Sequence, residues 1–172
     1  PIDELENRKS LFDVIRIGLI DQGSITAYGT GPTQTDDEFR YPLGQSELDS
    51  MMNPVVIRYR ENLDTGEKEE VRNVESVTSR DVVQYKIKED WIFDKQRSQR
   101  YVRIIGIAPI AKVRNSEGDE RDPENSMYAP LFWLYYPGPL RNYLANNVVY
   151  NPNNQKDQNS WVELLEARYF DR

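Results

Sequence analysis

The chain has 172 residues, with 22 Lys and Arg against 29 Asp and Glu, and a net charge of −7 at pH 7. This length predicts one domain over residues 1–172. The negative charge argues against binding to duplex nucleic acid, which depends on basic side chains that neutralise phosphates. Cys and His are absent from the sequence, which excludes disulfides, thiolate or imidazole metal sites, and Ser-His-Asp or Cys-His catalysis. We expect no catalytic, metal or cofactor site.

The first part of the chain predicts two helices and a hairpin. Ser10 is placed to cap a helix that starts at Leu11, with Asp13 completing a capping box, and Gly23 is placed to end it. The remaining predictions are a short strand at residues 25–28, a helix from Ser46 through Met52, and a hairpin of residues 55–61 with 69–75.

The central part of the chain predicts two long paired strands. Apolar side chains fall on odd positions across residues 83–94, a period of two that is typical of a strand. Glu89 interrupts this row, and we expect a bend or bulge there. Residues 101–113 predict a second strand, antiparallel to the first across a loop at residues 95–100.

The last part predicts a short aromatic strand at residues 131–136, closed by Pro137-Gly138-Pro139. A helical turn at residues 140–145 and a small strand at 148–150 follow. Ser160 is placed to cap a final helix at residues 161–170. Together the elements predict an α+β fold, a single domain with an antiparallel sheet and helices at the N- and C-terminal ends of the chain.

The densest basic cluster is predicted at the tip of the central hairpin, at Lys95, Arg97 and Arg100, with Arg103 nearby. Three interpretations stay open: a solvated loop, a contact for an acidic protein surface, and a nucleic-acid site with stacking aromatic rings, which the net charge disfavours. The aromatic strand offers a second candidate surface. About half of its side chains should face the core, and the outward ones, near Tyr136, are candidates for partner contact.

Two patterns of acidic residues are candidates for chemical sites. Glu89 and Asp90 beside Trp91 are a candidate acid pair, but neighbouring strand residues point to opposite faces. Residues 115–122 alternate oxygen-bearing side chains as a calcium loop does, but they lack its glycine at position six and its glutamate at position twelve. A solvated surface is the preferred interpretation of both.

Three blocks of sequence carry a family resemblance. They are Arg-Lys-Ser-Leu-Phe-Asp-Val-Ile at residues 8–15, Lys-Glu-Asp-Trp-Ile-Phe-Asp-Lys-Gln-Arg-Ser at 88–98, and Pro-Leu-Phe-Trp-Leu-Tyr-Tyr-Pro at 130–137. Together they resemble the GldN/PorN family of gliding motility and type IX secretion components. The second block is the most specific, because it is too long and irregular to arise from strand propensity.

The resemblance implies a non-enzymatic scaffold subunit of a periplasmic ring, associated with the outer membrane through a partner rather than by insertion. The implied partners are an outer-membrane lipoprotein (GldK/PorK) and the periplasmic region of GldM/PorM. It also implies that this chain is a core fragment without the family's signal peptide and terminal extensions. On this view Lys95, Arg97, Arg100 and Tyr136 are candidate partner contacts. The alternatives are a carboxylate-based glycan hydrolase and a carbohydrate- or peptide-binding module.

Overall fold

A computed structural model describes residues 9–33, 35–61, 68–112, 128–149 and 159–168. The helices in these ranges are α1 (Leu11–Arg16, continued by a π-helical turn at Ile17–Asp21), α2 (Gln45–Met52), α3 (Arg141–Ala145) and α4 (Trp161–Glu166). The strands are β1 (Ala27–Gly29), β2 (Tyr41–Pro42), β3 (Val55–Glu61), β4 (Lys68–Val74), β5 (Val82–Asp94), β6 (Gln99–Lys112), β7 (Tyr128–Pro130) and β8 (Trp133–Tyr135). Helices combine with antiparallel sheets, which confirms the α+β prediction.

Both terminal helices begin with a capping box, which was predicted for Ser10; for Ser160 only the cap itself was predicted. In α1, Ser10 Oγ accepts a hydrogen bond from the Asp13 amide at 3.1 Å, and Asp13 Oδ2 accepts one from the Ser10 amide at 3.1 Å. In α4, Ser160 and Glu163 form the same reciprocal pair. These bonds satisfy amide groups that have no partner inside a helix. Gly23 follows the first helix with a φ of +58°, as its predicted role requires.

Three local predictions need correction. The second helix is capped at Gly44 and not at Ser46: the carboxylate of Glu47 accepts a bond from the Gly44 amide at 2.8 Å. The last helix ends at Glu166, and Arg168 has a φ of +58° that a continuing helix does not allow. The small strand predicted at residues 148–150 is reduced to one bridge between Val148 and Ser160 in the described residues.

The main sheet is antiparallel, with strand order β2-β1-β8-β6-β5. Its central strand, β6, pairs with β8 only at Gly106 and Ile107, and with β7 only from Ile110 to Lys112. Pro109, which has no amide hydrogen to donate, lies between these two pairings. Before Gly106, β6 is paired with β5 alone among the described residues. The β5–β6 hairpin is therefore part of the sheet at its base and a two-stranded ribbon at its far end.

The predicted irregularity in this hairpin is present. The partner of Lys88 is Gly106, but the partner of Glu89 is Ile104. Ile105 is thus the extra residue, so this bulge lies on β6. A bulge strengthens the local twist, and this one marks the point where the ribbon leaves the sheet. A second register shift near the start of β5, between Val82 and Gln84, leaves Val83 as an extra residue on that strand.

The predicted hairpin of β3 and β4 is present, and it forms a two-stranded sheet separate from the main one. Its loop lies outside the described residues. The base is attached by buried Val56 and by two backbone bonds, from the Glu75 amide to the Pro54 carbonyl at 3.1 Å and from the Val77 amide to the Met52 carbonyl at 2.7 Å.

The core lies between the sheet and the helices. Its largest fully buried side chains come from α1, α2, α3, β6 and the segment around β8, and they include Phe12, Ile15, Met52, Ile107, Phe132, Leu134 and Leu144. In α1 the apolar side chains of Leu11, Phe12, Val14 and Ile15 are all buried.

Candidate docking surface

The free end of the β5–β6 hairpin, residues 89–104, is here named the distal arm. It exposes large apolar side chains on both of its faces. Trp91 and Phe93 are 54% and 62% exposed, and Ile92 and Tyr101 are 46% and 45% exposed. Directly paired residues share a face. Because Ile92 pairs with Tyr101, these two form one exposed patch, and Trp91 and Phe93 form another on the opposite face.

The tip of the distal arm is basic. Residues 95–103 contain Lys95, Arg97, Arg100 and Arg103 and no acidic residue, and all four side chains are exposed. Among the described residues, no carboxylate lies within ion-pair distance of any of them. A basic tip with no carboxylate partner in the described ranges, on an acidic protein, favours contact with an acidic surface.

Two local interactions order this tip. Asp94 Oδ1 accepts hydrogen bonds from the amides of Gln96 at 2.9 Å and Arg97 at 3.2 Å, which fixes the turn. The Arg100 guanidinium lies 4.6 Å from the centre of the Trp91 ring, a cation–π contact worth about 0.5–1 kcal/mol at an exposed site. This contact favours the position of Arg100 beside the Trp91 ring.

The base of the distal arm is tied to the end of α4. Arg168 Nη2 lies 2.6 Å from Glu89 Oε1, and these side chains are only 28% and 17% exposed. Glu89 therefore faces the helical side of the sheet. Asp90 pairs with Arg103, belongs to the other face and is exposed. The two carboxylates point apart, as strand alternation predicts, so they do not form the opposed acid pair that a glycan hydrolase needs.

Within the described residues there is no group of three or more Asp or Glu side chains that could hold a metal ion. The calcium-like pattern at residues 115–122 lies outside the described residues.

Tyr136 does not face outward, and that part of the prediction is wrong. It is 3% exposed, and its hydroxyl donates to Glu166 Oε1 at 3.2 Å. Burial and the neighbouring carboxylate both raise the pKa of Tyr136. Phe132, Leu134 and Tyr136 occupy alternate positions and are all buried, so Tyr136 lies on the core face; Tyr135, at 42% exposed, is the outward aromatic residue.

Glu166 joins Tyr136 to a second partner. Arg141 Nε donates to Glu166 Oε1 at 2.8 Å. This hydrogen bond is the main reason why the pKa of Glu166 lies below its usual value. Tyr136, Arg141 and Glu166 together link the turn after β8 to α3 and α4. Their role is to stabilise the packing of these elements rather than to present a binding surface.

The aromatic strand contributes mainly to packing. Phe132 and Trp133 are buried, so the strand offers no Trp-lined groove of the kind that a carbohydrate-binding module would use. Phe39, which the sequence patterns did not single out, packs edge-on against Trp133 and Tyr135 with ring centres 6.2 and 5.2 Å apart. Its ring also covers Gly106, where an added Cβ would lie 2.5 Å from Phe39 Cζ.

Comparisons with known proteins complete this description. In the part of the chain that the structure describes, no helix has the length and apolar character needed to cross a membrane. No curated protein matches the chain at a significant level. The family model described as gliding motility associated protein GldN matches residues 4–171. The resemblance noted in the sequence is confirmed over nearly the whole chain, and this protein belongs to the GldN family.

Proposed function

We propose that this gliding motility component is a non-enzymatic scaffold subunit that works by docking to other proteins through its distal arm. The observation that carries the proposal is the combination of exposed Trp91, Phe93 and Tyr101 with a basic tip that has no carboxylate partner among the described residues. Aromatic residues and Arg supply most of the binding energy in protein interfaces. Long-range attraction by basic side chains speeds the encounter with an acidic partner.

The setting of this function is the type IX secretion and gliding machinery in the periplasm, where the protein forms part of a ring. Its partners are an outer-membrane lipoprotein of the GldK/PorK type and the periplasmic region of a GldM/PorM-type protein. The protein associates with the outer membrane through the lipoprotein. This part of the proposal is supported by membership of the GldN family.

Charge reversal tests the docking role. The variant carries Lys95→Glu, Arg97→Glu and Arg100→Glu together; the matched control carries Lys68→Glu, Arg80→Glu and Lys112→Glu, at exposed positions away from the distal arm. Binding to each partner is measured by light scattering and calorimetry at low and moderate salt. We expect the arm variant to lose at least about tenfold in affinity for one partner, mostly at low salt, because charge steering is screened by salt. The control should keep its affinity.

Two results decide the proposal. If the arm variant binds both partners as well as the control does, the distal arm is not the docking surface. If both variants lose affinity equally, the effect comes from net charge and the local assignment is wrong. Melting temperatures of the two variants, measured alongside, exclude unfolding as the cause of any loss.

A further inference from the structure

Opposite charges are concentrated in two stretches of the chain near the two ends of β6. The basic tip, residues 95–103, contains four basic residues and no acidic one. Residues 115–125, here named the acidic segment, contain five acidic residues and only one basic residue, Arg121. The two stretches therefore carry charges of equal size and opposite sign. The acidic residues are Glu117, Asp119, Glu120, Asp122 and Glu124.

The topology attaches the two stretches to opposite ends of one strand. β6 begins at Gln99, within the basic tip, and ends at Lys112. Lys112 pairs with Tyr128, the first residue of β7. The acidic segment itself lies outside the described residues, but the chain that contains it leaves the sheet at Lys112 and returns beside it. Both of its points of attachment are therefore at the base of the β5–β6 hairpin.

The length of the chain separates the acidic segment from the basic tip of its own copy. Arg100 lies about 40 Å from Lys112 along β6, at about 3.3 Å per residue. Residues 113–127 start and end beside the same pair of residues, so even fully extended they reach only about 28 Å from it. That reach falls about 10 Å short of Arg100. A second copy of the chain supplies an acidic segment without this restriction.

The basic side chains of the tip are available for such a contact. Lys95, Arg97 and Arg100 are exposed, and in the described ranges no carboxylate lies within ion-pair distance of them. The hydrogen bonds from the Gln96 and Arg97 amides to Asp94 order the turn that carries two of these side chains. Complementary charge on two surfaces speeds their encounter and fixes how they meet. The acidic segment of another copy matches the tip in the size and sign of its charge.

We propose that the basic tip of the distal arm binds the acidic segment of a second copy of this chain. Each copy carries both surfaces at opposite ends of β6, so one copy can contact a neighbour at each end. The contact is between charged groups and does not use the apolar patches of the distal arm. The proposal rests on the docking function above and adds a second copy of the chain to the proteins that the distal arm holds.

Exchange of charge between the two surfaces tests the proposal without any other component of the motility machinery. Self-association is followed by sedimentation velocity over a range of protein concentrations, at low and at moderate salt. The tip variant carries Lys95→Glu, Arg97→Glu and Arg100→Glu. The segment variant carries Asp119→Lys, Glu120→Lys and Asp122→Lys. The control matches the charge change of the tip variant at exposed positions outside both surfaces, with Lys9→Glu, Arg60→Glu and Lys68→Glu.

The mixture of the two variants gives the sharpest result. The native chain and the control should associate as their concentration rises. Each variant alone should lose at least about tenfold in association constant, because its tip and its segment then carry like charge. An equimolar mixture should associate about as strongly as the native chain, since every acidic surface again meets a basic one. A chain with both sets of substitutions should behave like the mixture, and association should weaken at moderate salt.

Three results overturn the proposal. The first is a native chain that does not self-associate, and the second is a control that loses as much as the tip variant. The third is a mixture that associates no better than each variant alone, because the tip and the segment then do not meet. Melting temperatures of all variants exclude unfolding as the cause of any loss.

Failure of this proposal is distinguishable from failure of the docking function. If the native chain does not self-associate while the tip variant loses binding to a motility partner, only the contact between copies is overturned. If the mixture restores self-association while the tip variant binds both motility partners normally, the contact between copies stands. In that case the docking of those partners through the distal arm is wrong.

Discussion

The two halves of the β5–β6 hairpin have the same secondary structure and opposite environments. In the base, β6 lies between β5 and the pairings with β8 and β7, and Ile107, Ala108 and Ile110 are buried. In the distal arm, each strand has only the other as partner among the described residues, and Trp91 and Phe93 are exposed. The difference arises because β8 is only three residues long. Apolar residues in the base of the hairpin thus contribute to stability. Apolar residues in the distal arm remain exposed and available for recognition.

The largest expected effect is the difference in free energy of unfolding between a truncation in the base of the hairpin and one in the distal arm. Ile107→Ala removes a side chain that is 0% exposed and should lower the free energy of unfolding by about 3 kcal/mol, since a buried cavity is left. Trp91→Ala in the distal arm should cost clearly less, about 1 kcal/mol, because the side chain is 54% exposed and loses a surface cation–π contact and partial packing but leaves no enclosed cavity. Urea denaturation measures both. Equal losses would show that the distal arm contributes to the core.

The junction between the halves gives the next effect. Gly106→Ala places a Cβ 2.5 Å from Phe39 Cζ and should destabilise the protein by about 1–3 kcal/mol through overpacking. Combining it with Phe39→Leu should remove most of the penalty specific to Gly106, since the ring that the Cβ meets is gone. A double-mutant cycle of denaturation midpoints measures this coupling. A strictly additive cycle would contradict the proposed contact.

A smaller effect is expected at the ion pair below the distal arm. Glu89→Gln weakens the bond to Arg168 and should lower the free energy of unfolding by about 1.5 kcal/mol, the usual contribution of a hydrogen bond to a charged group. Asp90→Gln, at the exposed neighbouring position, is the matched control and should have little effect. If the two variants behave alike, the ion pair does not hold the base of the arm.

The smallest effect is a pH dependence outside the hairpin. The pKa of Glu166 is lowered in the folded protein, chiefly by the hydrogen bond from Arg141. This bond therefore stabilises the protein at pH values above the pKa that Glu166 has in the unfolded chain. The contribution is lost as the pH falls through the lower pKa that Glu166 has in the folded protein. Arg141→Gln should reduce the acid sensitivity of unfolding, and thermal melts between about pH 3 and 6 would show the change. The size is modest because both side chains are about half exposed.

Features set by local sequence were predictable. The helix caps at Ser10 and Ser160, the pairing of β5 with β6 and the irregularity at Glu89 each depend on residues close together in the chain. The partner of Glu89, Arg168, is 79 residues away, and no pattern indicates it. Tyr136 was misplaced for a different reason: alternation predicts which side chains share a face of a strand, but not which face packs on the core. Phe132, Leu134 and Tyr136 share the buried face, and Tyr135 lies on the other.

Hydrogen exchange on the complex with the lipoprotein or the GldM/PorM-type region tests the central claim most directly. If the distal arm is the docking surface, amides of residues 89–104 should gain protection on binding, while those of the base, already slow to exchange, should change little. Unchanged exchange across residues 89–104 in a stable complex, with protection gained elsewhere, would contradict the account.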